Sequence, residues 1–272
     1  MGTPTEPLTA EALQRALHEL LTHRASGALV VVEVVNTVDS TNAQLLSEAK
    51  NADGHFLIAR QQTAGVGRRG AAWQSPPSGN LYLSYCFHTS QPLSLVSLLP
   101  LAFGVEIAQE LESKLAISIQ LKWPNDLYVD GKKCGGMLLE TKTLQDGITA
   151  VVVGVGVNVS SHPSEELLGR PVTSLQSSHK EPVLLKEVAL AVMRAIVLVS
   201  DLPSADVSKR LKRQWPERDL LLNKEVCVSQ SAGNDVRGVA KGIAEDGGLY
   251  VDCGGRIETF YAGEVSLGHI GH

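Results

Sequence analysis

Apolar residues recur at helical spacing near the start of the chain, at Leu13, Ala16, Leu17, Leu20 and Leu21, with Thr9 as N-cap and Gly27 as the stop. Ala28 to Val35 is short and valine-rich and predicts a buried strand. Asp39-Ser40-Thr41-Asn42 then offers several capping side chains for a helix that runs to Ala49. His55 to Arg60 reads as a strand feeding a glycine-rich stretch, Gln62 to Gly70, and Asn80 to His88 alternates as the next strand. A long helix is predicted around Leu95 to Leu115, where Pro100 fits only in the first turn or at a kink.

Beyond it the pattern changes to hairpin rhythm: Ile117 to Lys122, Leu127 to Val129, an Asp130-Gly131 turn, Lys133 to Lys142, an Asp146-Gly147 turn, and Ile148 to Val157. That rhythm predicts an antiparallel sheet. Helical spacing returns over Val183 to Val199 and Ala205 to Trp215, the second closed by Pro216. From Leu220 the chain reads as short strands, Glu225 to Ser229, Arg237 to Ile243, Leu249 to Cys253 and Arg256 to Tyr261, separated by Gly-Asn-Asp, Asp-Gly-Gly and Gly-Gly turns. These suggest a small barrel. The division expected is a helical extension over 1–27, a main α/β domain over 28–218, and the barrel over 219–272.

Composition narrows the function. The 272 residues are 43% hydrophobic and 19% charged, which is ordinary for a globular protein and predicts no membrane association. A net charge of −5 leaves no basic excess to neutralise nucleic-acid phosphates. Cys86, Cys134, Cys227 and Cys253 are too widely spaced for a zinc site or a disulfide framework. The start MGTPTEPLTAEALQ has neither the apolar run of a secretory signal nor the arginine-rich character of a transit peptide. Glu6 stands where a myristoylation signal would want Ser or Thr. A reducing cytoplasm is the expected setting.

Chemistry concentrates in four places. Gln62-Thr63-Ala64-Gly65-Val66-Gly67-Arg68-Arg69-Gly70 combines three glycines with two arginines between strands. Such a loop can bring successive backbone N–H groups to a phosphate under closing guanidinium groups, or can equally be a solvated hairpin. It is neither a P-loop nor a Rossmann turn, because no Gly-Lys-Ser/Thr follows and no helix opens after it. Lys122-Trp123-Pro124-Asn125-Asp126 sets a cation, an indole, an amide and a carboxylate around a proline, which makes poor strand and poor core and so marks a site. Lys133 precedes Gly135-Gly136, where a ligand can approach the backbone and a lysine could bridge a carboxylate and a phosphate. Gly154-Val155-Gly156-Val157-Asn158 ends a strand in a form suited to a flat ligand. No Ser/His/Asp or Cys/His spacing supports hydrolase chemistry.

In this order, together with Lys133-x-Gly-Gly-x-Leu-Leu-Glu140 and the tail Tyr261-Ala262-Gly263-Glu264-Val265-Ser266-Leu267, these segments resemble the biotin–protein ligases from about Val35 to the end. The Lys122 to Asp126 string is the most specific part. The resemblance implies a mixed, largely antiparallel α/β catalytic fold shared with lipoate ligases, followed by an SH3-like barrel. It implies ATP, Mg²⁺ and biotin as reactants and a biotin carboxyl carrier protein or domain as acceptor, with the enzyme a monomer or homodimer. Ser40, Thr41, Asn42 and Gln62 would contact biotin's rings, with Gly65, Val66, Gly67, Gly135 and Gly154 close by. Lys133 would straddle the biotinyl carboxylate and the α-phosphate, with Arg68 and Asp126 as the other catalytic groups and Mg²⁺ near Asp126. Arg68, Arg69, Gly70, Trp73, Lys122, Asn125, Asp126 and Asn158 would face the nucleotide, its metal or the incoming lysine. The family loop reads Gly-Arg-Gly-Arg-x-Gly, so Val66 here removes one arginine side chain from the phosphates.

A lipoate ligase of the same fold is the nearest rival, but it lacks the Lys122 to Asp126 string. A biotin-sensing repressor would need a basic recognition helix, whereas Leu8 to His23 has only Arg15, and Arg24 beyond it. Electrophoretic mobility shifts at physiological salt, with and without biotin and ATP, are therefore expected to show no sequence-specific DNA complex; a nanomolar operator complex would restore the repressor reading.

Overall fold

In the computed structural model, which describes residues 8–20, 30–77, 79–229 and 235–267, the first element is α1 (Ala10–Leu20), entered where Thr9 Oγ1 accepts from the Ala12 N–H at 3.2 Å. The expected Gly27 stop and the Gly233-Asn234 turn lie outside the described residues. Leu13 and Leu17 join α1 to the main core. Gln14 also grips the next segment, donating to Val30 O and accepting the Val32 N–H at 2.8 Å.

There follow β1 (Val31–Val38), α2 (Thr41–Ser47), β2 (His55–Gln62), β3 (Leu81–Thr89), α3 (Leu93–Val96), α4 (Leu99–Leu115), β4 (Gln120–Lys122) and β5 (Asp126–Val129). Next come β6 (Lys132–Thr143), β7 (Thr149–Val157), α5 (Glu165–Leu168), α6 (Leu185–Ser200) and α7 (Ser204–Arg218). The chain ends in β8 (Glu225–Ser229), β9 (Asp235–Ile243), β10 (Leu249–Asp252), β11 (Ile257–Phe260) and β12 (Glu264–Leu267).

The first seven strands form one sheet in the order β1-β2-β3-β7-β6-β5-β4. Only β1 and β2 are parallel, joined through α2, so the sheet is mixed and largely antiparallel. The last five strands make a separate antiparallel sheet, β11-β10-β9-β8-β12. β12 was not among the expected strands. Its four residues carry little pattern of their own and extend because the β8 edge at Val226–Ser229 pairs with them.

Two helices end or begin differently from expectation. The predicted long helix is split into α3 and α4, and Pro100 takes the first turn of α4, where its missing N–H costs no intrahelical bond. Pro216 does not close α7, which continues to Arg218. The proline forfeits one bond in the last turn, while the buried Trp215 and the Arg218–Glu112 ion pair at 2.5 Å hold that turn against α4. The Ser94–Leu115 stretch is also long and apolar enough by composition to cross a membrane, but most of it is buried inside the fold.

Alternation along the central strands sorts side chains to two faces. Leu81, Leu83, Tyr85 and Phe87 of β3 and Val151, Val153, Val155 and Val157 of β7 enter one core with α4 and α6. On the opposite face Cys86, Ala150 and Val152 pack beneath Leu45 of α2. The alternation read in Asn80 to His88 therefore separates two buried faces, not a buried one from a wet one. Phe103 of α4 is fully buried and meets Phe87 edge to face, with ring centroids 6.5 Å apart. Phe103→Ala is expected to lower unfolding free energy in urea titrations by about 3–5 kcal/mol through lost burial and the cavity left behind.

Candidate active site

Where α2 stops covering the second face of the sheet, the residues pointing that way become Gly154 and Gly156 on β7 and Ser84 and Tyr82 on β3. Gly154, Gly156 and Tyr82 floor a cleft of about 160 Å³, with Ser84 fully buried beneath it. Each glycine makes room for a particular side chain. A Cβ on Gly154 would stand 2.3 Å from Asn42 Oδ1, and one on Gly156 would stand 2.4 Å from the Trp73 indole.

The end of β1 delivers Ser40 as the N-cap of α2, its Oγ accepting from the Ala43 N–H at 3.3 Å. Thr41 and Asn42 then open the helix over the floor and are buried. Gln62 Oε1 accepts the Thr41 N–H at 2.9 Å and lies 3.0 Å from Thr41 Oγ1, while Gln62 Nε2 donates to Ser75 Oγ at 3.2 Å. Ser84 Oγ is 2.7 Å from Thr41 Oγ1 and 2.6 Å from Asn42 Oδ1. Asn42 Nδ2 donates to Glu140 Oε2 at 2.8 Å and to Leu138 O at 3.3 Å. One connected polar chain thus crosses β2, β3 and β6 beneath the cleft.

The glycine-arginine loop folds back on itself. The Trp73 N–H donates to Gly65 O at 2.9 Å, Val66 bridges to Ala72, and the Gly67 N–H donates to Ala71 O at 2.7 Å. Arg69 and Gly70 turn the tip with positive φ values of 54° and 75°. Arg68 points back into the cleft and donates to Gly263 O at 3.4 Å, so the loop touches the second sheet.

The Lys122 to Asp126 string is the turn between β4 and β5, with a cis peptide before Pro124. Trp123 is buried and donates its indole N–H to Gly247 O at 2.9 Å. The Asn125 amide donates to Met137 O, while the Met137 N–H returns a bond to Asn125 O at 2.9 Å. Asp126 is thereby aimed at Lys133, whose Nζ lies 2.5 Å from Asp126 Oδ1 and 5.7 Å from the Trp73 ring centroid. Burial lowers the Lys133 pKa, opposed by Asp126 and assisted by Arg170. Burial likewise lowers Lys122 and Arg68, in each case opposed by the Asp126 carboxylate. Arg68, Lys122, Lys133 and Arg170 line the cleft against only Asp126 and Glu264. A site richer in cations than in carboxylates, in an acidic protein, favours a ligand with several negative charges.

Ser40, Thr41, Asn42, Gln62, Val66, Gly67, Arg68, Trp73, Lys122, Asn125, Asp126, Lys133 and Gly154 all line this cleft. Five expected residues stand outside its wall. Gly65 is a rung of the loop hairpin, Arg69 and Gly70 are exposed at its tip, and Gly135 approaches Gly156 O so closely that a Cβ would stand 2.8 Å away. Asn158 is buried and donates to Thr173 O at 3.0 Å, fastening the segment that follows β7. Sequence reasoning missed Arg170 and Tyr82 as cleft residues, and Ser84 as a member of the buried polar chain beneath them. It also gave no site role to Glu264, a tail residue that sits in the cleft because β12 pairs with β8.

The mixed sheet with its glycine floor and cation-rich cleft has the architecture of a biotin/lipoate-type ligase. Residues 31–158 match the biotin/lipoate A/B protein ligase family, and residues 221–268 match the biotin protein ligase C-terminal domain. The chain is 31% identical to the biotin–[acetyl-CoA-carboxylase] ligase of Mycobacterium tuberculosis, over 93% of this chain and 94% of that one. It is 31% identical to the bifunctional ligase/repressor BirA of Escherichia coli, over 87% of this chain and 74% of that one. Its structure is similar to that of the Aquifex aeolicus biotin protein ligase in complex with biotin and ATP, with a TM-score of 0.69, 30% identity, and coverage of 87% and 97%. The chain belongs to the biotin protein ligase family.

Gly156→Ala is expected to displace Trp73 from its seat, since the added methyl cannot share space with the indole. Tryptophan emission should shift in this variant, and the shift should vanish in a Trp73→Phe background. A shift that survives in that background would place the disturbance elsewhere.

Proposed function

We propose that the chain forms biotinyl-5′-AMP from biotin and ATP and transfers the biotinyl group to one lysine of a biotin carboxyl carrier domain, releasing AMP. The observation that carries this reading is the Lys133–Asp126 pair at 2.5 Å, set in a cleft with an excess of cations. Two anions must meet there. The biotin carboxylate attacks the α-phosphorus, the bond from that phosphorus to the β-phosphate bridging oxygen breaks, and pyrophosphate leaves. A buried ammonium fixed between the reacting groups lowers their mutual repulsion and needs no reorganisation as charge shifts. Lys122 and Arg170 supply further charge for the phosphates, and Arg68 closes the cleft from the loop side. In the second step the acceptor amine attacks the acyl carbon, loses a proton, and expels AMP.

The carboxylates at the cleft, Asp126 and Glu264, suit a Mg²⁺ that arrives with the nucleotide, since this ion is commonly held by one or two carboxylates together with substrate phosphates. Among the described residues no cluster of three or more ligating side chains provides a protein-only cage. When bound, the ion would draw electron density from the phosphates. Asp126 has two candidate tasks, orienting the acceptor amine and holding that ion.

Pyrophosphate release dependent on biotin, and not supported by lipoate, tests the reading directly. Lys133→Ala is expected to fold and to lose about 3 kcal/mol of transition-state stabilisation, roughly a hundredfold in adenylation rate. A rate within a few fold of the parent's would remove Lys133 from its role. Asp126→Asn given preformed adenylate should transfer poorly if its task concerns the amine, and normally if it concerns the metal.

A further inference from the structure

Two lysines wall the cleft, and the ammonium of each stands over an aromatic face. Lys133 Nζ has the Trp73 ring centroid 5.7 Å away and Asp126 as an ion partner at 2.5 Å. Lys122 Nζ lies 5.7 Å from the Tyr128 ring centroid, and among the described residues no ion pair or hydrogen bond holds it. That distance is within reach of a cation–π attraction, which strengthens where water is excluded. Here Lys122 is half-buried and Tyr128 is buried.

The register of the sheet brings the ring to that place. β4 and β5 set Lys122 opposite Asp126 and Gln120 opposite Tyr128, so Tyr128 is the diagonal neighbour of Lys122 on the face that carries the cleft. Past an irregularity in the pairing, β5 and β6 set Tyr128 opposite Lys133. Burial lowers the Lys122 pKa, Asp126 opposes the shift, and the charges of Lys133 and Arg170 add to it. A cation so placed needs support. A carboxylate in contact with it would occupy its N–H donors and would have to yield them to an incoming phosphate, whereas a ring face attracts the charge and leaves the donors free.

We propose that Tyr128 is a positioning residue for the nucleotide: its ring face holds the Lys122 ammonium at the cleft wall with the N–H donors free for phosphate oxygens. The proposal rests on the ligase reading, in which Lys122 meets the phosphates. Tyr128 itself stands outside the cleft wall, so its effect on the nucleotide passes through Lys122.

The test drains the ring face while keeping its shape. Tyr128→Phe is compared with proteins carrying 4-fluoro-, 3,5-difluoro- and 3,4,5-trifluorophenylalanine at the same position. The reading is the Kd for α,β-methylene-ATP at saturating biotin, since a carbon between the two phosphorus atoms keeps the analogue from reacting. The Kd should rise with each fluorine, by at least threefold in total, while the Kd for biotin alone stays within twofold. A ring that served only as packing would give a flat series. In a Lys122→Met background the analogue should bind more weakly but with the same Kd, within twofold, with and without fluorine. A total rise of less than threefold overturns the proposal, as does a rise of threefold or more that persists in Lys122→Met. If Tyr128→Phe does not fold, a ring-fluorinated tyrosine compared with tyrosine itself makes the same measurement, judged by the same limits. A flat series in a protein whose parent releases pyrophosphate with biotin sinks this proposal alone, whereas a parent that releases none sinks the ligase reading on which it rests.

Discussion

β7 lies between β3 and β6, paired to each along its whole length, and the rest of the molecule depends on that double pairing. A strand flanked on both sides cannot slip by one residue without exchanging its faces. Here an exchange would drive Val153, Val155 and Val157 out of the core and put Gly154 and Gly156 into it. Register, core and cleft floor are thus one constraint. The same register sets Ser84 opposite Gly154, which brings the serine hydroxyl under the Asn42 amide that the missing Cβ admits. A glycine without that neighbour would only weaken the strand.

On this rigid floor the charges are arranged against the protein's own preference. The chain as a whole is acidic, yet its cleft gathers Arg68, Lys122, Lys133 and Arg170. Desolvation lowers the pKa of the first three, because burial disfavours their charged forms. Asp126 is their common counter-charge. A nucleotide with its phosphates can take over that duty, so binding relieves electrostatic cost already present in the folded chain. This is preorganisation, with the unfavourable part of the interaction met during folding and not at the moment of reaction.

Much of this was legible in the sequence because the site is built from short segments whose composition contradicts ordinary packing. Lys122 to Asp126 mixes charged and amide groups that make poor core around the one buried indole of Trp123, and the glycines and arginines after Gln62 make poor strand, so each segment stands out. Most strands and helices agree within a few residues; the exceptions are β12, the split of the long helix into α3 and α4, and Pro216, where tertiary contacts from Trp215 and Arg218 outweigh a local rule. Arg170 carried no signal, because a single arginine after Gly169 looks like any surface residue until the Lys133–Val172 bridge brings its segment to the cleft. Ser84 was hidden differently. In an alternating strand a serine reads as a solvent position, and only the burial of both faces turns it into a polar group that must be satisfied. Asn158 shows a structural duty its sequence context does not signal: its amide donates to the Thr173 carbonyl and fastens the segment after β7.

The second sheet bears on the chemistry through three contacts with the cleft. Trp123 donates to Gly247, Arg68 donates to Gly263, and Glu264 and Val265 form part of the wall. The first contact pins the turn that carries Asp126, and the second engages the loop that forms part of the cleft wall. A displacement of the small sheet would therefore act on both sides of the cleft at once, changing the support of Asp126 and the position of Arg68 together. That geometry gives a reason for the two sheets to occur in one chain: the reactive mixed anhydride must be kept from water until an amine arrives, and a wall contributed by a second structural unit closes a side that the open seven-stranded sheet leaves exposed.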